Sequence, residues 1–572
     1  MKKISCLFFI GFCAGITQAQ NPLFIPDTLS GTTFNLNVQT GTKVFIGSNN
    51  TPTFGYNGSF LGPTLLINKD DSITLNVTNN LTQVTTVHWH GFHVAPENDG
   101  GPHQMIMPGM TWSPSFKMRN EAATFWYHPH GEGKTEIQIS KGLAGMIIVR
   151  DAVEAAYNLP RTYGVDDFPL IVQSKAFDVL YQFMTATHED SIMMVNGTID
   201  PYLSVPQQVV RLRLLNASAD RTYYFGLSDN SNFSLIASDG GLLSAPHTTN
   251  RVRLSTGERA EILIDFSSYT LGQQVYLMSY ASELAHGIIG ADSVGTSTIM
   301  VMEGYYDNPL NGVDFNVLRF DVSAPTSSPV TTIPASFAPK IPIPEASADR
   351  TRSIHFSADT AFSGPQGFVD GPFLMNNTPF HMDSINIVTE INDTEIWELT
   401  NSTMVAHPFH IHDIEFYVLD INGNPPPPEY AGLKDVILVQ PNDTVRFITQ
   451  FTTFSNWFVP YMFHCHLLHH EDDGMMGTFL VVDSTTIGVN ESDKTTNDVL
   501  IYPNPGNNTI NIQVANAPNA QLTVTNSLGE LIMQCVVCNG SKQIETTYWH
   551  PGVYFFTIEN NKKQITKKII IQ

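Results

Sequence analysis

The sequence predicts an all-β chain of several sandwich domains, and three observations carry that expectation. Charged residues are only 14% of the 572, while 40 Gly and 35 Pro supply turns throughout. That balance suits many short strands better than amphipathic helices. Stretches such as Ser72-Ile73-Thr74-Leu75-Asn76-Val77-Thr78 alternate polar and apolar residues, the period of a half-buried strand. A threefold internal repeat, each copy roughly 130–150 residues and so of ordinary domain size, orders these strands.

Each copy opens with an alternating strand ending in Asn: Ile73–Asn79, Val209–Asn216 and Glu395–Asn401. A second strand follows: His88-Trp89-His90-Gly91, Tyr223-Tyr224-Phe225-Gly226, and His407-Pro408-Phe409-His410-Ile411-His412. A turn and an outgoing strand come next, at 108–112, 256–260 and 441–445. An apolar strand closes each copy: Gly145–Val149, Thr298–Met302 and Gly477–Val482. The middle copy lacks the histidines of the other two. Two chemically active ends around an inert centre imply that the ends meet in space, with the middle domain acting mainly as a spacer.

The resulting division is β domains at 20–155, 156–322 and 348–485, a Pro/Ala/Ser-rich extended linker at 323–347, and a strand-rich tail at 497–572. Pro425–Pro428 reads as a surface loop near a substrate entrance. Residues 1–19 read as a signal peptide: Lys2 and Lys3, an apolar run from Ile4 to Ile16, and a Thr17-Gln18-Ala19 cleavage site. Phe12 stands where a lipid-anchored Cys13 would need a small residue. No other segment is long and apolar enough to be an integral membrane span. The chain is therefore expected to be exported, with the periplasm as one destination. A formal net charge of −24 excludes nucleic acid or anionic lipid as partners held by bulk electrostatics.

The chemistry lies in histidines. Of 19, ten fall in four tight clusters: His88/His90, His128/His130, His407/His410/His412 and His464/His466/His470. Residues i and i+2 of a strand point the same way, so each His-x-His pair aims two imidazoles at one side. Four such pairs make a cage of eight. Imidazole alone leaves copper, zinc, iron and nickel open. Cys465 narrows the choice, because a thiolate with two imidazoles and a weak thioether is the blue-copper set. His407, Cys465, His470 and Met475 supply it. Cys465 also sits between His464 and His466, wiring one metal to the cage through short peptide segments. Cys6 and Cys13 leave with the signal; Cys535 and Cys538 either pair or stay as buried thiols.

His-Trp-His-Gly at 88–91, Trp-Tyr-His-Pro-His-Gly at 126–131, His-Pro-Phe-His-Ile-His at 407–412 and His-Cys-His-Leu-Leu-His-His-Glu-Asp-Asp-Gly-Met at 464–475 resemble the multicopper oxidases. The resemblance spans about residues 22–483. It implies three cupredoxin-like Greek-key β-sandwiches and four copper ions. By position, His407, Cys465 and His470 would hold the type 1 ion, with Met475 axial and a moderate potential. His88 and His410 would hold type 2; His90, His128, His130, His412, His464 and His466 would hold the type 3 pair. His469, His93 and His103 fall outside the pattern. Asp99 and Glu471 sit where bacterial relatives keep acidic residues near the cluster, which implies a proton-donor role in reducing dioxygen.

The implied activity is laccase-like: a small-molecule reductant gives single electrons, and dioxygen is the acceptor. Phenols, aromatic amines and bilirubin-like pigments are candidate substrates. A second reading takes a metal-ion reductant, Cu(I) or Fe(II), for which Met105, Met107 and Met110 offer thioethers. A third is a non-catalytic surface or division-associated protein on the same fold; such relatives lose copper ligands, and every ligand position is filled here. A copper nitrite reductase would have no use for the type 3 pairs. The tail, with Tyr502-Pro503-Asn504-Pro505 and Gly552-Val553-Tyr554-Phe555, resembles the C-terminal sorting domain of Bacteroidetes type IX secretion cargo, which implies export and sorting machinery as a partner and a location outside the cell or on its outer surface. It reads as a small β-sandwich.

Overall fold

The computed structural model describes residues 20–295, 302–363, 367–484, 499–506, 508–514, 519–527, 529–538, 540–560 and 563–571. The signal peptide, most of the closing strand Thr298–Met302 and the link at 485–498 lie outside them. Among the described residues, no helix is long and apolar enough to cross a membrane.

Strands dominate, and they form four two-sheet sandwiches. In the first, Thr28–Ser30, Thr64–Asn68, Gly145–Arg150, Thr124–His128 and His88–His90 make one sheet; Asn50–Tyr56, Thr33–Val44, Ser72–Asn79 and Thr111–Trp112 make the other. Inward residues of both share one core, including Leu36, Leu75, Trp89, Tyr127 and Ile147. The middle sandwich pairs a sheet through Tyr223–Leu227 with a larger one through Val209–Asn216 and Arg259–Asp265. The third pairs Arg350–Ala358, Thr394–Asn401 and Thr444–Gln450 against Tyr461–Cys465, His407–Ile411 and Met476–Val482. The tail has its own core around Ile510, Leu522 and Phe556.

The three asparagines that end the opening strands do the same work. Each is buried. Asn79 Nδ2 donates to the carbonyls of Gln83 and Ile106, and its Oδ1 accepts from Leu81 N. Asn216 repeats this with Arg221, Leu254 and Ser218. Asn401 repeats it with Val405, Val439 and Thr403. A side-chain amide that satisfies three buried backbone groups fixes the turn into the next strand, and in the outer copies that strand carries histidines.

The linker runs extended but does not hang free: Val330 and Phe337 are buried against the middle sandwich, beside Val209 and Leu242. The Pro425–Pro428 loop also meets that sandwich, because Tyr430 just beyond it accepts a hydrogen bond from Arg253. Cys535 and Cys538 share the strand Leu531–Cys538 and both are free; Cys538 is exposed, so neither the disulfide nor two buried thiols is found.

Candidate metal centre

Two strand pairs carry most of the histidines. His88–His90 runs antiparallel to Thr124–His128, with His128 opposite His88 and Trp126 opposite His90. Period two sends Trp89 and Tyr127 into the first core and leaves the histidines on the other face. In the third sandwich His410 lies opposite His464, and Phe409 opposite Cys465. Cys465 therefore points into the apolar core with Phe409 and Ile411, while its neighbours face the first sandwich.

Eight imidazoles meet at that junction, each at most 1% exposed. Two pairs stack across it: His88 with His412 at 3.9 Å between centroids, and His90 with His410 at 3.8 Å. Three nitrogen pairs close to 3.1–3.4 Å: His130 Nε2 with His464 Nε2, His412 Nε2 with His464 Nε2, and His90 Nδ1 with His128 Nε2. Burial pushes His90, His128, His130, His410 and His464 well below the ordinary imidazole range, with the neighbouring rings adding to it. Those five rings thus favour the neutral form, which has one lone pair to give.

The outer nitrogens are tied down. His88 Nδ1 donates to the Asp99 carbonyl at 3.0 Å and His410 Nδ1 to the Asp435 carbonyl at 2.8 Å. Their Nε2 atoms are buried without partners. His128 Nδ1 meets the Pro129 carbonyl, and His412 Nδ1 lies 2.7 Å from Asp99 Oδ2. Glu471 bridges His130 Nδ1 and His464 Nδ1 at 3.3 and 3.2 Å. His90 is reversed: its Nε2 meets Asp435 Oδ1 at 3.2 Å, leaving Nδ1 inward. Both nitrogens of His466 lack partners. An outer acceptor on one imidazole nitrogen fixes the tautomer and presents the other nitrogen to a metal. Buried, unpaired lone pairs in such number fit a metal cluster and little else.

A second centre lies one residue away. Cys465 Sγ stands 3.5 Å from His407 Nδ1 and 3.6 Å from His470 Nδ1. All three are at most 1% exposed, and Met475 is fully buried in the same core. Phe373 packs on both rings, at 4.7 and 4.5 Å between centroids. Burial raises the Cys465 thiol well above its usual range, so a thiolate here needs a cation at its sulfur. Thiolate plus two neutral imidazoles is a soft donor set that copper suits.

The structure brings together every expected site residue. Asp99 and Glu471 are buried against the cage, not solvated. Burial alone would raise Asp99, but His412 and His88 hold it below the ordinary carboxylate range. Burial, and then the Asp472 charge, pushes Glu471 well above that range. His469 pairs with Asp220 at 2.8 Å; burial would lower it, but that carboxylate holds it up at about 9 and commits its Nδ1 to an ion pair. His93 meets Asp413, and His103 meets the Met382 carbonyl. Met105, Met107 and Met110 are exposed, not packed.

Sequence reasoning missed four residues. Thr403 Oγ1 lies 2.8 Å from His407 Nε2, and Thr135 Oγ1 donates to Glu471 at 2.7 Å. Asp435 holds His90, and Arg259 holds Asp435. The only signals were charges inside apolar strands, Lys434-Asp435 before Val-Ile-Leu-Val and Arg259 opening Arg-Ala-Glu-Ile-Leu-Ile. Arg259 belongs to the middle sandwich, so that unit is more than a spacer.

Multicopper oxidase family models match residues 37–154, 178–304 and 345–485, and a secretion system C-terminal sorting domain matches 500–572. The chain is 32% identical over 483 residues to the multicopper oxidase mco of Staphylococcus haemolyticus (strain JCSC1435), covering 82% of this chain and 94% of that protein. It is 31% identical to the cell division protein FtsP of Dickeya dadantii (strain 3937), covering 81% and 95%. Among solved structures, a laccase-like multi-copper oxidase CueO from the lignin-degrading bacterium Ochrobactrum sp. aligns with a TM-score of 0.71 at 32% identity, over 81% of this chain and 100% of that one. A buried sulfur site joined to an imidazole cage, on a chain this similar throughout, identifies a member of the multicopper oxidase family of copper oxidoreductases, followed by a sorting domain for export.

Proposed function

We propose that the chain is a laccase-like oxidase that takes single electrons from phenolic or similar small molecules and uses them to reduce dioxygen to water. The observation that carries this is Cys465: its sulfur faces His407 and His470, while both its sequence neighbours belong to the cage. When bound, copper supplies one-electron redox chemistry at the sulfur centre and four-electron reduction of dioxygen at the cage. His407, Cys465 and His470 would hold the type 1 ion, with Met475 as the weak fourth donor. His88 and His410 would hold type 2, which fits their partnerless Nε2 atoms. His90, His128, His130, His412, His464 and His466 would hold the type 3 pair, for four ions in all. The Cys465 backbone links the two centres in both directions. Asp99 and Glu471 supply protons, each touching one histidine of the first sandwich and one of the third. The Ochrobactrum relative has oxidase activity towards lignin model compounds and lignosulfonate, which favours an aromatic substrate. The tail would take the protein through the type IX route to the medium or the outer cell surface.

A second reading, oxidation of Cu(I) or Fe(II), is favoured by Met105, Met107 and Met110, which are 57–60% exposed and present thioethers to solvent. Likeness to FtsP admits a non-catalytic role, against which stands the complete donor set. Oxygen uptake by copper-loaded protein with phenols, bilirubin, Cu(I) and Fe(II) side by side separates these readings. Turnover with a phenol supports the first; turnover with metal ions alone transfers the assignment to the second. Protein that is colourless when oxidised, or that holds about one metal ion per chain, excludes both.

A further inference from the structure

The middle sandwich, which carries none of the cage histidines, reaches the cage through Arg259. This guanidinium is 1% exposed, and all five of its N–H groups have acceptors. Nη1 donates to Asp435 Oδ1 at 2.6 Å and to the Gly257 carbonyl at 3.0 Å. Nη2 donates to Asp435 Oδ2 at 2.6 Å and to the Asp239 carbonyl at 3.3 Å. Nε donates to the Thr124 carbonyl of the first sandwich at 3.0 Å. Arg259 thus joins all three sandwiches at one group.

Asp435 is fully buried in the third sandwich, and two histidines hang on it. Its Oδ1 meets His90 Nε2 at 3.2 Å, and its carbonyl meets His410 Nδ1 at 2.8 Å. These are the two rings that stack at 3.8 Å with planes 8° apart. Asp239 and Glu258 of the middle sandwich bind Lys434, the preceding residue, at 2.8 and 2.7 Å. The turn before Arg259 also touches the cage: a Cβ on Gly257, at φ +84°, would stand 3.0 Å from the His466 ring. On the other side, a Cβ on Gly91 would stand 2.4 Å from Asp435 Oδ2, which explains the Gly of His-Trp-His-Gly.

We propose that Arg259 and Asp435 are positioning residues for the cage: the Arg259 fork fixes the Asp435 carboxylate, that carboxylate decides which nitrogen of His90 faces inward, and the Asp435 backbone carbonyl does the same for His410. With Nε2 of His90 taken, only Nδ1 can serve a metal; with Nδ1 of His410 taken, only Nε2 can. One residue therefore registers a histidine of the first sandwich against one of the third, and the middle sandwich clamps it. An Asn at 435 would put an amide N–H₂ against a guanidinium or an imidazole N–H, so one of the two contacts must break. The inference rests on the copper reading above.

The test uses full-length, copper-loaded wild type, Asp435→Asn, Arg259→Met, Arg259→Lys and, as a control, Arg213→Met, which breaks equally buried contacts to Asp167, Glu261 and Thr124 Oγ1 and removes none made by Asp435 or by a cage histidine. Copper per chain, the blue band, the type 2 paramagnetic resonance and melting temperature are read. Asp435→Asn and Arg259→Met should keep the blue band, lose cage copper by at least about tenfold in affinity and shift the type 2 resonance. Arg213→Met should lower the melting temperature and leave the resonance and copper count alone. If Asp435→Asn and Arg259→Met yield no folded protein, Arg259→Lys, which keeps the charge without the fork, should still shift the resonance. Full copper with a wild-type resonance in these variants, or copper loss that merely tracks melting temperature as in Arg213→Met, overturns the clamp. Wild type short of about four copper ions overturns the copper reading and the clamp with it.

Discussion

Asp99 and Glu471 occupy matching places on two flanks of the cage. Asp99 of the first sandwich touches His88 and His412; Glu471 of the third touches His130 and His464. Each is a buried carboxylate within one hydrogen bond of imidazoles that face the cage, the place from which protons for oxygen reduction would come. Asp99→Asn and Glu471→Gln should each slow oxygen reduction at saturating reductant, by about tenfold or more, and leave the blue colour intact. Unchanged oxygen uptake in both would end that assignment. The histidines were legible in the sequence because strand geometry turns a spacing of two into a shared direction, and Cys465 announces itself by its flanking histidines. Asp435 and Arg259 were not, because their partners lie 345 and 176 residues away, and one charged residue in a strand looks the same whether it is clamped or solvated.

At the scale of elements, the three Asn-ended strands were legible as a repeat, but their identical amide contacts were not, since those depend on where the chain returns. The strand Asp167–Phe177 gives the clearest energetic case. Its Lys175 is 3% exposed, and its Nζ has no hydrogen-bond partner. Burial lowers its pKa to about 7, with Glu136 and Asp190 opposing weakly. In the unfolded chain the group keeps its ordinary value near 10.5, so between about 7 and 10.5 the unfolded state binds more protons and stability rises with pH. The cost of burial is fully present below about 7 and is gone above the unfolded value. Lys175→Met should therefore stabilise by on the order of 2–4 kcal/mol at pH 6, with the gain shrinking towards pH 10. Denaturant melts at the two pH values check this; an equal gain at both would refute it.

For the whole molecule, three repeats with active ends correctly announced that the first and third sandwiches meet. What composition and spacing could not convey was the part of the middle unit, because a contact surface without histidines carries no pattern in one dimension. The tail shares no core residue with the rest of the described chain. A chain ending after Asp483 should thus keep its blue colour, copper content and oxygen uptake, while failing to appear outside the cell when expressed in a type IX-competent host. Loss of copper on truncation would show that the tail supports the fold. One geometric fact bears on the protein's biogenesis. His130 and His464, 334 residues apart, point Nε2 atoms at each other across 3.1 Å. A chain that has emerged only as far as the middle sandwich lacks His464, so an ion that needs both rings could be captured only after the third sandwich has docked on the first. Metal held between these two rings would then mark a chain whose first and third sandwiches have closed on each other.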